Sequence, residues 1–405
     1  MASDPAGTGS PPERGGGRIL VVDDNEMNRD LLSRRLRQQG HTVSVAENGR
    51  QALERMAAEE LDLVMLDIMM PELDGYQVLD RMRADGTLDR LPVVMISAVT
   101  EIESVVRCIE LGATDYLPKP FNTVLLKARV GATLEKKRLR DRERSWAESM
   151  ERELEIGRQI QRSFLPEELP QPSGWEIAAK FEPARQVAGD FYDAFPLAGG
   201  ARIGLVIADV CDKGVGAALF MALFRSLVRA FTERAYASAP SERDSDATRV
   251  LSTILSTNDY IAKTHGRSSM FATLFLGVLD PAGATLTWVN AGHEAPVVFG
   301  ASGTTSRLKP TGPALGMMPD MKFEARTTHV GGGETLFAFT DGVTEARDTA
   351  GRLFSEERLF GLLAEGCPTA AAFLDRVEAA VSAHASGVDR SDDITMLAAR
   401  RAGVA

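Results

Sequence analysis

The stretch Ala208-Asp209-Val210-Cys211-Asp212-Lys213-Gly214-Val215-Gly216-Ala217-Ala218 is the one around which the chain is organised. It closes an apolar run, residues 203–208, whose branched, uncharged side chains read as a buried strand. A carboxylate, Asp209, therefore stands where the strand is expected to stop. Behind it, Gly214, Gly216 and small residues let the chain turn tightly into a helix whose first backbone amides face outward, a geometry suited to metal ions and phosphate oxygens. An Asp before a glycine-rich turn is by itself ordinary turn chemistry. Its weight comes from acids placed alike elsewhere in the chain.

Around this stretch, strand-like runs come in blocks at residues 176–181, 203–208, 273–279, 285–289 and 335–339, and helical stretches at 217–231, 248–263 and 370–383. Grouped elements predict an α+β domain with largely antiparallel sheets, and turn clusters such as Asp280-Pro281-Ala282-Gly283 predict hairpins. Asp190 and Asp193 precede or enter an apolar run, Asp341 follows one, and Asp392 with Asp393 precedes residues 394–398. If the sheets stack, these acids share an edge. Oxygen ligands without a His or Cys partner select Mg²⁺ or Mn²⁺. Two such ions about 3.5 to 4 Å apart activate a water and hold a phosphate oxygen for in-line displacement. No Ser or Cys with a paired base offers a rival nucleophile. Asp193 and Asp212 read equally as turn or cap residues, and His293 reads first as a turn residue satisfied by backbone.

The N-terminal half alternates instead. Short apolar runs at 19–22, 42–46, 63–66, 93–96 and 114–117 are separated by segments with apolar residues three or four apart, which predicts a parallel, doubly wound (βα)5 sheet. Ligands of such sheets sit beyond the carboxyl ends of the strands, at the switch in strand order. Asp23 and Asp24, Asp67, Ser97, and Lys119 with Pro120 follow successive strands and land on that edge. Three carboxylates there repel one another unless a hard cation binds them, so Mg²⁺ is expected, with Asp67 as a carboxylate nucleophile for a phosphoryl group.

Between the halves, residues 123–164 contain no proline and predict a long helix. Leu139, Trp146, Met150, Ile160 and Phe164 follow a rough heptad stripe that Arg142, Glu153 and Gly157 interrupt. The helix reads equally as packed on its own domains or as a parallel dimeric coiled coil. The expected boundaries are a disordered tail at 1–17, domains at 18–135 and 171–402, and a helical linker at 136–170. A net charge of −11 argues against nucleic-acid binding by phosphate neutralisation. Three scattered cysteines, Cys108, Cys211 and Cys367, fit a reducing cytoplasm, and no apolar run approaches the roughly 20 residues that span a bilayer.

The motifs Val-Val-Asp-Asp-Asn-Glu, Met-Leu-Asp-Ile-Met-Met-Pro-Glu-Leu-Asp-Gly and Tyr-Leu-Pro-Lys-Pro-Phe resemble the receiver domains of two-component response regulators. That resemblance implies phosphorylation of Asp67 by a histidine kinase, Mg²⁺ on Asp24 and Asp67 with Asp23 assisting through water, and Lys119 on the phosphoryl group. It also implies Ser97 and Tyr116 as a switch pair and a cis bond at Lys119-Pro120. The motifs Gly-Asp-Phe-Tyr-Asp, Asp-Val-Cys-Asp-Lys-Gly-Val-Gly-Ala-Ala, Asn-Ala-Gly-His, Phe-Thr-Asp-Gly-Val-Thr-Glu-Ala and Asp-Asp-Ile-Thr-Met-Leu resemble the metal-dependent serine/threonine phosphatases of the bacterial sporulation and stress sigma-regulator branch. Here the implied fold is an αββα sandwich. Asp209 is implied to bridge two Mn²⁺ or Mg²⁺ ions with help from the Val210 carbonyl. Asp190 serves one ion and Asp341 and Asp392 the other, with Asp393 the second choice of its pair. Ala188 replaces a usual glycine, Cys211-Asp212 replaces a small pair, and no arginine matches the phosphate clamp of the eukaryotic relatives.

Together the two resemblances imply a cytoplasmic response regulator that dephosphorylates a partner, an anti-anti-sigma factor, and dimerises through its linker. The competing expectation is a non-catalytic adaptor with a phosphatase-like fold, gated by the receiver. A transcription factor is disfavoured by the acidic output half and the absence of a recognition-helix pattern.

Overall fold

The computed structural model describes residues 16–98, 102–237, 245–300, 303–364, 366 and 368–403. The expected tail, up to residue 15, and Cys367 lie outside the described residues. The chain divides into two units, one ending at Met150 and one starting at Glu151.

In the first unit, β1 (Arg18–Val22), α1 (Glu26–Gln38), β2 (Thr42–Ala46), α2 (Gly49–Ala58), β3 (Leu63–Asp67), α3 (Gly75–Ala84), β4 (Val93–Ser97), α4 (Ile102–Glu110) and β5 (Asp115–Pro118) alternate. Helix α5 (Thr123–Phe164) follows, as the proline-free stretch predicts. The strands pair in parallel in the order β2-β1-β3-β4-β5. Successive side chains of a strand face opposite sides. Ile19 and Val21 therefore pack with Leu32 and Leu36 of α1 and Leu126 and Val130 of α5, while Leu20 and Val22 pack with Ala52, Val78 and Leu79 of α2 and α3. Both faces being covered is why these strands read as unbroken apolar runs. The order reverses between β1 and β3, which places the crevice at Asp23 and Asp67.

The second unit contains β6 (Trp175–Glu182), β7 (Phe191–Leu197), β8 (Arg202–Val210), α6 (Val215–Tyr236), α7 (Asp246–His265), β9 (Ala272–Asp280), β10 (Thr285–Ala291), β11 (Val297–Gly300), β12 (Gly303–Arg307), β13 (Arg326–His329), β14 (Thr335–Phe339), α8 (Asp341–Thr344), α9 (Ser355–Ala364), α10 (Ala370–His384) and β15 (Ile394–Arg401). They form two antiparallel sheets, β13-β10-β9-β8-β7 and β12-β11-β14-β15-β6. Alternation along β8 sends Ile203, Leu205 and Ile207 into the core between the sheets and Val206, Ala208 and Val210 against α6 and α7. Along β14, Leu336 and Ala338 face the inter-sheet core, and Phe337 and Phe339 face α9 and α10. Three apolar layers between four layers of structure make the αββα sandwich. In the outer layer Phe337 and Phe299 each stand 4.9 Å from the Phe373 ring, and truncating such a buried Phe costs about 3–5 kcal/mol.

Three features depart from the expectations. The strand expected to stop at Ala208 continues through Val210, because Asp209 and Val210 still pair with Thr273 and Ala272 of β9. Strands β7, β11, β12 and β13 and helices α8 and α9 were not foreseen. Helix α6, 22 residues long, is apolar enough by composition to cross a membrane, contrary to the reading of the runs. It instead lays Ala217, Met221, Phe224 and Val228 on the first sheet, an apolar stripe at helical spacing.

Candidate active site

The N-terminal cluster follows directly from the parallel sheet. Ligand atoms of Asp23, Asp24 and Asp67 lie within 4.8 Å of one another, with Asp23 and Asp67 buried and Asp24 exposed. Lys119 Nζ stands 2.8 Å from both Asp23 Oδ2 and Asp67 Oδ2. Burial pushes the Asp67 carboxyl above its usual range while Lys119 pulls it down. Burial also works against the Lys119 ammonium, but its two carboxylate partners outweigh that and raise it. Ser97, buried, ends β4, Tyr116 lies half-buried in β5, and the Lys119-Pro120 bond is cis. A Cβ on Gly75 would collide with the Asp67 carbonyl, so only glycine lets α3 begin this close to that aspartate.

The C-terminal cluster is assembled by register. Antiparallel pairing puts the start of one strand beside the end of its neighbour. In the first sheet Phe191 of β7 pairs with Ala208 of β8, so Asp190 and Asp209 meet. In the second, Phe339 of β14 pairs with Met396 of β15, so Asp341 comes beside Asp392 and Asp393. Gly342 seals the second pair, since a Cβ there would strike the Asp393 carbonyl. Gly189 does the same for the first: its Cβ would lie 2.7 Å from the Val210 carbonyl oxygen.

Hydrogen bonds stitch the two pairs across the sheets. Thr340 Oγ1 and Thr395 Oγ1 donate to Asp190 Oδ2 at 2.7 and 2.8 Å. Asp393 accepts the amides of Ala184 and Gly189 at 2.8 and 3.0 Å through its two oxygens. That engagement makes Asp393 a clamp on the Asp190 loop and leaves Asp392 as the more exposed member of the pair. Asp392 Oδ2 is 2.8 Å from Lys213 Nζ.

Burial, then the charges of Asp209 and Asp393, pushes the Asp190 carboxyl far up, and Asp209 rises to about 7 through burial and the charge of Asp341. Asp341 and Asp393 are raised too, again first by burial. So much buried negative charge among oxygen-only donors fits hard divalent cations. The set is looser than its N-terminal counterpart: among the described residues, Asp23, Asp24 and Asp67 form the one group of three acidic, His or Cys residues whose ligand atoms fall within 4.8 Å.

Other candidates go elsewhere. Asp193, buried, is paired with Arg225 at 3.0 Å and Arg229 at 3.4 Å of α6. Asp212 takes a left-handed turn conformation, φ 74°. His293 bonds Thr273 Oγ1 through Nδ1 at 2.9 Å, and burial lowers its pKa to about 3, so it is a neutral turn residue held by Asn290. Sequence reasoning missed Thr340, Thr395 and Gln161. The buried Gln161 amide of α5 donates to Ala188 O at 2.6 Å and accepts Ala188 N at 2.9 Å. Thr340 adjoins Asp341 and Thr395 lies two residues after Asp393, the one signal that pointed to them.

Residues 199–402 match the family described as Stage II sporulation protein E, and residues 19–131 match the response regulator receiver domain. Protein IcfG of Synechocystis sp. is 44% identical over 263 residues, covering 62% of this chain and 41% of its own length. Response regulator MprA of Mycobacterium ulcerans is 43% identical over 126 residues, 31% of this chain and 53% of its own. The chain thus spans about half or less of these relatives. Among solved structures, the SiaA-PP2C domain of Pseudomonas aeruginosa aligns with a TM-score of 0.53 at 19% identity, over 63% of this chain and 98% of that one, a likeness of fold.

Proposed function

The chain belongs to the Stage II sporulation protein E family, with a response regulator receiver domain ahead of the family segment, and from that premise we propose that it is a response regulator whose output is metal-dependent hydrolysis of phosphoserine or phosphothreonine on a partner protein. The observation that carries this reading is the meeting of Asp190 and Asp209 from one sheet with Asp341 and Asp392 from the other. Asp209, with the Val210 carbonyl, would face both of two Mn²⁺ or Mg²⁺ ions, Asp190 one and Asp341 with Asp392 the other. When bound, such ions supply Lewis acidity, an activated water and neutralisation of phosphate charge. Thr340 and Thr395 fix Asp190, and Asp393 fixes the loop that carries it.

Residues 18–135 form the receiver in this reading, 136–170 the linker and 171–402 the phosphatase domain. Asp67 takes a phosphoryl group from a histidine kinase with Mg²⁺ on Asp23, Asp24 and Asp67, and Lys119, Ser97 and Tyr116 report it. The exposed Leu139, Trp146, Met150, Ile156 and Ile160 of α5 support a homodimer through the linker. The substrate is an anti-anti-sigma protein in a cytoplasmic partner switch. A test is phosphate release from a phosphoserine anti-anti-sigma protein with Mn²⁺, with and without beryllofluoride on the receiver. No release in either state sinks the enzyme reading.

The looser C-terminal acid set favours one alternative, a non-catalytic adaptor gated by the receiver. Such an adaptor binds the phosphoprotein stoichiometrically without turnover, and Asp209→Asn leaves that binding intact.

A further inference from the structure

The loop behind Asp209 carries the one base paired with any of the five clustered acids among the described residues. Asp212 at φ 74° and Gly214 at φ 89° bracket Lys213 with two left-handed residues, and this double turn throws the lysine back across the acids before α6 begins. Its Nζ lies 2.8 Å from Asp392 Oδ2 and donates to Ser391 O at 2.7 Å. The other Asp392 oxygen accepts the Asp393 amide at 3.0 Å. Both oxygens of Asp392 are therefore engaged, one by backbone and one by an ammonium. The charge of Lys213 also reaches Asp341 and Asp393, where it opposes the rise that burial causes.

We propose that Lys213 is a resident counter-cation for the Asp341–Asp392 end of the cluster, which a divalent ion must displace from Asp392, so that this lysine sets how tightly that end takes metal. The inference rests on the reading that Asp341 and Asp392 hold an ion. A cation already on a ligand oxygen raises the work of binding a second one there, through lost pairing and like-charge repulsion. Lys213 is positioned to do this because its side chain, 39% exposed, has solvent into which to swing. A mere tether of the loop to β15 predicts the reverse, because cutting a tether loosens the acids and weakens metal.

The test measures Mn²⁺ binding to the full chain by electron paramagnetic resonance and calorimetry. It compares wild type, Lys213→Met, Lys213→Arg, and Asp67→Asn with Lys213→Met, the last removing the receiver site. Lys213→Met is expected to bind the weaker C-terminal ion roughly fivefold more tightly, since a partly exposed pair is modest. Lys213→Arg keeps the charge and is expected to stay near wild type, which also controls for a misfolded methionine variant. Unchanged or weaker binding in Lys213→Met, with wild type binding two C-terminal ions, overturns the counter-cation. Absence of any C-terminal Mn²⁺ binding in wild type overturns it together with the phosphatase reading.

Discussion

The two acid clusters of this chain solve one electrostatic problem in opposite ways. In the N-terminal unit, parallel strands deliver every carboxyl end to one edge, and a single lysine sits between two buried aspartates. In the C-terminal unit, two antiparallel sheets each contribute one pair, and the lysine stands at the rim on Asp392 alone. The first arrangement is compact, with one lysine set against three carboxylates. The second is looser, and burial, followed by the charge of Asp341, lifts Asp209 there to about 7. Compactness comes from topology in one case and from cross-sheet hydrogen bonds in the other.

The sharpest break of that comparison is chemical. Asp209→Asn is expected to lower Mn²⁺-dependent phosphate release on the order of a thousandfold while leaving labelling of Asp67 by acetyl phosphate unchanged. Asp67→Asn should do the converse, abolishing labelling and leaving Mn²⁺ binding at the C-terminal acids within roughly twofold. Loss of both functions in either variant would mean that the clusters are not independent.

Acid stability separates the units next. Folded His293 stays neutral down to about 3 because it is buried, whereas in the unfolded chain an imidazole takes its proton near 6.5. The unfolded state binds more protons in that window. The contribution is thus fully present above about 6.5 and is lost as pH falls toward 3, on the order of 4 kcal/mol. The raised carboxyls of Asp190, Asp209, Asp341 and Asp393 act in the opposite sense over this range, so the His293 contribution is read as the difference between wild type and His293→Asn in urea unfolding followed by the buried Trp288. His41 of the N-terminal unit is lowered by burial as well, but it is only half-buried, so the difference between wild type and His41→Asn should be smaller.

Close backbone approach gives a third comparison, because each cluster depends on a glycine. Gly342→Ala and Gly75→Ala both force a Cβ into a carbonyl, at Asp393 and Asp67, and each is expected to cost about 2 kcal/mol. Only Gly342→Ala should weaken Mn²⁺ binding at the C-terminal acids. The smallest effect is expected from Thr340→Val, which removes one of two hydroxyl donors from buried Asp190 and costs about 1–2 kcal/mol in metal-free denaturation. A neutral result there would assign the cross-sheet link to Thr395 alone.

How much could be read in advance follows the same divide. All five N-terminal strands and their terminal acids were legible, since strands covered on both faces leave unbroken apolar runs. In the sandwich the missed strands include the edges β7, β12 and β13. β7 hid because it carries Pro196, tolerated on an edge, and the buried Asp193, whose partners Arg225 and Arg229 come from a distant helix. β12 and β13 are short, polar segments of the kind that blunt sheet edges. The four acids drew attention because each abuts an apolar run. Thr340 and Thr395 were not, because a strand threonine looks the same whether or not its hydroxyl serves a carboxylate.

Those two hydroxyls limit what Asp190 can offer. With Oδ2 accepting from both, a cation held by Asp190 as proposed would be offered the other oxygen alone. Calcium leans on bidentate carboxylates and a high coordination number, whereas the smaller Mg²⁺ takes single oxygens in a strict octahedron. In the proposed site the opposite sheet would thus favour the smaller ion, through groups that never touch it.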